Sequence, residues 1–288
     1  MLDIVIFSKD RAAQLDLCLQ SIYQNASKLN GGDCCINIVY TASTPEFQTG
    51  YDKLKEEYRS YHMGHHQTFF FGESHFGGFV EAYNAAMSSK NEYVLFFTDD
   101  DIVYRPMAED LWPCTMSKMV DENLFTVSLR LGTNTFVQDQ YRNTNCLIPD
   151  NDIQQNSKIR TWNYSTQPDN INFAYPFSVD GHFFFKSNVN EILSGIPDWY
   201  NPNSLEGKAQ HNLGGMFKFM GCFEHSYVVN TPMNRVQETC TNKAGQFFNQ
   251  TAESLNERYL SGDRLSLDNM DFSTIIGCHQ EIKLEWEN

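Results

Sequence analysis

The stretch Tyr93-Val94-Leu95-Phe96-Phe97-Thr98-Asp99-Asp100-Asp101 decides the fold. Its unbroken apolar run, Tyr93 to Phe97, predicts a strand buried on both faces, the mark of a mostly parallel sheet covered by helices. Three carboxylates follow at the carboxyl end of that strand. Like charges this close raise one another's pKa unless a cation relieves them. Hard divalent ions such as Mg²⁺ and Mn²⁺ prefer carboxylate oxygens and bridge to substrate phosphates. An acidic turn solvating a strand end is the plainer account. The position weighs against it, because open α/β sheets bind ligands beyond the carboxyl ends of their strands.

Outward from this stretch, apolar segments alternate between the two periods. Ile4 to Phe7 reads as a first strand, and Leu15, Leu19 and Ile22 follow at helical spacing. Ile36 to Tyr40 is a second strand, and Phe47, Tyr51, Leu54 and Tyr58 form a helical stripe. Thr68 to Phe71 is a third, followed by a helix through Phe79, Tyr83 and Met87. Strand alternating with helix predicts an α/β fold with a mostly parallel, doubly wound sheet. The second half is less regular. Leu124 to Leu129, Phe177 to Phe185 (broken at Asp180-Gly181-His182) and Ser226 to Asn230 read as strands. Leu205 to Phe219 and Leu255 to Leu260 read as helices. From Gly132 to about Asn172 the chain is rich in Asn, Gln, Asp and Thr and reads as long loops, a lid or an acceptor-facing insertion. One domain is expected, in two halves, 1–131 and 132–288.

Bulk composition narrows the function. The chain has 288 residues and is 41% hydrophobic, enough for a real core. A net charge of -15 argues against sequence-independent nucleic-acid binding, which needs Lys and Arg to displace counterions. A protein this acidic must neutralise a phosphate-bearing ligand locally, and a divalent cation would do so. The start, Met1 to Arg11, reads as a first strand and not as a signal peptide. No apolar stretch approaches the ~20 residues that span a bilayer. The eight cysteines lack a CxxC pair, so free thiols and a cytoplasmic location are expected. Neither GxxxxGK[ST] nor GxGxxG occurs, which disfavours phosphate-loop hydrolases and dinucleotide enzymes.

Polar strand ends supply the remaining candidates. Ser8-Lys9-Asp10-Arg11 follows the first strand, where Ser8 and Arg11 would face a base or ribose; a helix cap at Ser8 or Asp10 is the alternative. Thr41-Ala42-Ser43-Thr44 follows the second, with Thr41 a candidate donor contact and Ser43 or Thr44 a candidate cap. Trp162 and Trp199 would stack on a sugar or, more commonly for aromatics, fill the core.

Taken together, Val5-Ile-Phe-Ser-Lys-Asp-Arg11 and Val94-Leu-Phe-Phe-Thr-Asp-Asp-Asp101 resemble glycosyltransferases of the GT-A type. Asn201-Pro-Asn-Ser-Leu-Glu206-Gly, Val228 to Gln237, and Cys278-His279-Gln280-Glu281 are similar to a subgroup found in bacteria and in large DNA viruses of algae. The resemblance implies metal-dependent sugar transfer from a nucleotide-sugar, a UDP-sugar by default, to a glycan or glycoconjugate hydroxyl, with inversion. It implies Asp101 on a Mn²⁺ or Mg²⁺ ion, Asp99 on the metal or the donor ribose, and Asp100 as an alternate. His279 would complete the metal and diphosphate site. Glu206, or failing it Asp180, would be the general base, with Gly181 and His182 near the donor sugar. For Glu206 a helix-dipole role competes, and for His279 and His182 a structural one. The rival enzyme class is a nucleotidyltransferase; the rival outside enzymes is a carbohydrate-binding protein of the same fold.

Overall fold

The computed structural model describes residues 1–29, 34–59, 67–139, 144–150, 158–167, 172–237, 239 and 244–287. Its first half follows the expected alternation. Strand β1 (Leu2–Lys9) leads into helix α1 (Ala12–Asn25), β2 (Cys34–Thr41) into α2 (Pro45–Arg59), and β3 (Gln67–Gly72) into the short α3 (Glu73–Phe76) and α4 (Phe79–Ala86). Strand β4 (Tyr93–Thr98) then returns to the sheet. It pairs in parallel with β1, on the side of β1 opposite β2. The chain has wound outward through β2 and β3 and then jumped back, so the strand order reverses between β1 and β4. That switch point opens a crevice at the carboxyl ends of the two strands.

Period-two alternation decides which layer each side chain enters. Ile4 and Ile6 of β1, with Leu95 and Phe97 of β4, join Leu15, Leu19 and Ile22 of α1 in one core. Val5 and Phe7, with Val94 and Phe96, join Phe79 and Tyr83 of α4 in the other. Helices therefore cover both faces, and the sheet is doubly wound. The α/β, mostly parallel sheet expected of the GT-A resemblance is the one observed.

The second half completes the same sheet. Helix α5 (Leu111–Asp121) precedes β6 (Leu124–Ser128), and β10 (His182–Phe185) inserts antiparallel between β4 and β6. Strand β11 (Phe219–Phe223) runs parallel to β6, and β9 (Ile159–Asn163) closes the edge antiparallel to β11. The eight strands stand in the order β3-β2-β1-β4-β10-β6-β11-β9. Two further ribbons lie outside it: β5 (Asp101–Val103) with β12 (Val228–Asn230), and β7 (Val137–Asp139) with β8 (Thr144–Asn145).

Several sequence expectations change here. The polar stretch 132–172 is not all loop: β9 lies within it, and its Trp162 is buried against Phe173, so this tryptophan is core. Trp199 packs edge-on against Tyr83 and Phe79 and is core as well. The expected strand from Phe177 begins only at His182, because Gly181 turns the chain at a φ of 64°. The helix read from Leu205 is α7 (Pro202–Asn212); Gly214 and Gly215, at positive φ, stop it well short of Phe219. Helices α5 and α6 (Lys186–Ser194) had no counterpart in the sequence reading. The last helix is α8 (Ala252–Leu260). Cys18, Cys114, Cys146, Cys222 and Cys278 are free thiols. No helix among the described residues is long and apolar enough to cross a membrane.

Candidate active site

A cavity of about 880 Å³ occupies the crevice at the β1/β4 switch point. The turn after β1 forms one end of it. Asp10 takes a positive φ of 57°, its backbone N–H donates to the Thr41 carbonyl, and its carboxylate accepts from Ser43 N–H. Asp10 therefore ties β1 to the end of β2 and caps nothing; no side chain caps α1. The turn sends Ser8 and Arg11 inward. Ser8 Oγ donates to Asp99 Oδ2 at 2.8 Å and meets the Tyr51 hydroxyl at 2.6 Å. Arg11 Nη1 donates to Asp99 Oδ1 at 2.9 Å and to Asp100 Oδ2 at 3.0 Å. The far side of the same guanidinium is held by Asn234. Burial pushes Asp99 up, to about 6, against the pull of Arg11. On the neighbouring loop Thr41 lines the cavity, while Thr44 Oγ1 accepts from Phe47 N–H and caps α2.

Thr98 organises the middle of the site. Its Oγ1 lies within 2.8 Å of Asp100 Oδ1, 3.2 Å of Asp180 Oδ1 and 3.3 Å of Asp101 Oδ2. One hydroxyl has one proton to donate, so three carboxylates compete for it. Asn230 Nδ2 serves the cluster from β12, reaching Asp100 at 2.8 Å and Asp101 at 3.2 Å. Asp101 is fully buried, because β5 resumes at this residue and pairs it with Asn230. Burial raises its pKa well above the usual range, helped by Asp180 and Asp100.

The other end comes from the second half of the chain. Asp180 sits in the turn before β10; burial would raise its pKa, but His279, Arg130 and Thr98 draw it down to about 2. His279 Nε2 stands 3.2 Å from Asp180 Oδ2 and 2.8 Å from Arg130 Nη1. Burial would lower the pKa of His279; the Cys278 thiol and Asp180 hold it up at about 10. Glu206 lies in α7 beyond the first turn. That helix is already sealed by an Asn201–Ser204 capping box, and the helix-dipole effect fades within the first turn. Its Oε2 accepts from Val179 N–H at 3.1 Å, and Tyr175 hydrogen-bonds the carboxyl. Burial, then the charge of Asp180, pushes Glu206 up to about 7.

The structure thus brings Ser8, Arg11, Thr41, Asp99, Asp100, Asp180, Glu206 and His279 to one cavity. Asp101, Gly181 and His182 do not line it. Gly181 is a backbone turn, its N–H donating to Phe96 O and its carbonyl accepting from Leu129 N–H. His182 is fully buried, and burial holds it neutral.

The expected metal ligands, Asp99, Asp101 and His279, do not form a coordinating group. Among the described residues no three His, Cys, Asp or Glu side chains are placed to hold a metal ion. Asp99 spends both oxygens on Ser8, Lys9 N–H and Arg11. Asp101 spends both on Thr98 and Asn230. The ring nitrogen of His279 faces a guanidinium, which repels a cation. The donor set as it stands does not fit Mn²⁺ or Mg²⁺.

Known proteins offer distant likenesses only. No protein-family model matches the chain, and no curated protein matches it. Among solved structures it is similar to S. aureus TarS 1–349 in complex with UDP-GlcNAc: TM-score 0.45, 13% identity, covering 82% of this chain and 59% of that one. It is also similar to the mannosyltransferase PcManGT from Pyrobaculum calidifontis in complex with GDP-Man and Mn²⁺: TM-score 0.42, 14% identity, covering 78% of this chain and 54% of that one. The chain thus spans well under two thirds of either protein. Likenesses at this level decide nothing about its substrate.

Among the site residues that had gone unread in the sequence are Arg130, Thr98 and Asn230. Arg130 had a readable signal, a lone charge inside the apolar run Leu124 to Leu131. Asn230 and Thr98 had none, since a polar residue at a strand end is ordinary. Arg235 is exposed and lies outside the cavity lining.

Proposed function

We propose that this chain is a glycosyltransferase. It moves a sugar from a nucleoside-diphosphate sugar, a UDP-sugar by default, to the hydroxyl of a glycan or glycoconjugate. The observation that carries the reading is Glu206. It faces the same cavity as the Arg11–Asp99 pair, and its carboxyl is held at about 7. A general base works best with a pKa near the operating pH, and a carbohydrate-binding site needs none. Ser8, Arg11 and Asp99 form the nucleotide end, and α7 and Tyr175 the acceptor end.

In the reaction the acceptor hydroxyl attacks the anomeric carbon, Glu206 takes its proton, and the nucleoside diphosphate departs. Asp180 is poorly placed for a competing role. Its pKa is low, and both its oxygens are held, Oδ1 by Thr98 and Oδ2 between Arg130 and His279. The GT-A resemblance favours a single displacement with inversion over a covalent route.

The test is incubation with UDP- and GDP-sugars, UDP-GlcNAc and GDP-Man first, in parallel arms with EDTA, Mg²⁺ and Mn²⁺. The expected outcome is slow release of free nucleoside diphosphate, accelerated by a glycan acceptor. Release of pyrophosphate from a nucleoside triphosphate plus a sugar phosphate would establish a nucleotidyltransferase instead. Saturable sugar binding with no product from any donor would establish a binding protein.

A further inference from the structure

Arg130 is 2% exposed, yet it borders the large cavity. It leaves the carboxyl end of β6, where Leu129 N–H donates to Gly181 O and Leu129 O accepts from Tyr227 N–H. The residue before it is thus pinned through both its N–H and its carbonyl. Every hydrogen bond that the Arg130 side chain makes among the described residues runs through Nη1, toward Asp180, His279 and Cys278. Its Nε has no partner there at all. A guanidinium carries five N–H donors in a planar fork that matches phosphate oxygens two at a time. A buried cation with a donor of that fork unengaged is costly unless an anion completes it.

His279 adds a second constraint. Its Nε2 lies within hydrogen-bonding distance of a pure donor, Arg130, and a pure acceptor, Asp180. One ring nitrogen cannot accept from the first and donate to the second. If it donates to Asp180, its N–H faces the N–H of Arg130. A further acceptor placed between them satisfies both. The His279 side chain is 40% exposed, so such a group can reach it.

We propose that Arg130, with His279 beside it, is an anion-holding fork that takes the diphosphate of the donor without a bound metal ion. The inference rests on reading the cavity as a donor site. It assigns to two side chains the charge neutralisation that the GT-A resemblance gives to a divalent cation. Preorganised donors in a dry site can stabilise a departing diphosphate.

The probe is inorganic pyrophosphate, titrated calorimetrically into the full chain in the presence of EDTA. Saturable binding is expected. Arg130→Lys, which keeps the charge and loses the fork, should weaken it at least tenfold, and His279→Asn should weaken it as well. If Arg130→Lys fails to fold, the half-exposed His279→Asn carries the test. Binding that needs Mn²⁺, no binding, or wild-type affinity in the folded variants overturns the proposal. The two readings fail separately. Pyrophosphate held by Arg130 with no sugar transferred would sink the proposed function and leave the fork. Sugar transfer that persists in Arg130→Lys with unchanged donor affinity would do the reverse.

Discussion

The two ends of the cavity are built differently. At the β1 end the charged groups answer one another: Arg11 spans Asp99 and Asp100, Ser8 and Tyr51 close the ring, and Asn234 holds the back of the guanidinium. At the α7 end the groups compete. Arg130 leaves a donor unused, His279 faces a donor and an acceptor with one nitrogen, and Glu206 is held at about 7 beside Asp180 at about 2. A completed network holds a ligand in a fixed pose. Neighbouring carboxyls with pKa values pushed apart mark where protons move. On the proposed function, the contrast puts the fixed hold on the nucleotide at the first-half end, and the departing diphosphate and the proton transfer at the second.

The sharpest way to break that contrast is to remove the proton acceptor. Glu206→Gln should keep donor affinity near wild type and lower the transfer rate by about 10²–10⁴-fold, the usual worth of a general base. Parallel calorimetry and initial-rate measurements check this. A variant that loses affinity and keeps its rate would make Glu206 a donor contact and not the base.

Arg11→Ala attacks the other end. It leaves Asp99 and Asp100 buried without their shared cation, and breaking a buried pair costs about 3–5 kcal/mol. Urea denaturation should show the loss, and it should depend on pH. Asp99 is already raised to about 6, so the folded state binds an extra proton between the unfolded value of about 3.9 and that pKa. Without Arg11 the shift grows, and stability falls as pH rises. The deficit should therefore be larger at pH 8 than at pH 5.

Tyr51→Phe is the smallest change. It removes the hydroxyl that meets Ser8 and accepts from Arg11 N–H, leaving a buried donor unpaired at a cost of about 1–3 kcal/mol. Donor binding should weaken modestly while the rate on bound donor stays unchanged, a split that Glu206→Gln reverses.

Much of the β1 end was legible in the sequence, and less of the α7 end, for a physical reason. The first end is local to strand termini, where Phe7-Ser8 and Thr98-Asp99 mark the passage from buried strand to ligand-facing turn. The second is assembled from β6, the turn at Asp180, α7 and the segment at His279, which no spacing in the chain relates. Arg130 showed only as a charge in an apolar run. Asp101 was read as the metal-facing carboxylate; a second short strand, β5, takes it into the interior. The polar stretch before Asn172 concealed β9, whose five residues include only two apolar side chains, Ile159 and Trp162.

The central claim is that Glu206 takes the acceptor proton, and its pH profile tests this most directly. Transfer measured at saturating donor and acceptor should rise about tenfold between pH 6 and pH 8, with a midpoint near 7, as a base of that pKa deprotonates. Glu206→Gln should leave a low, flat residual rate over the same range. A variant that keeps the same rise at the same midpoint would contradict the account and place the titrating base elsewhere in the cavity.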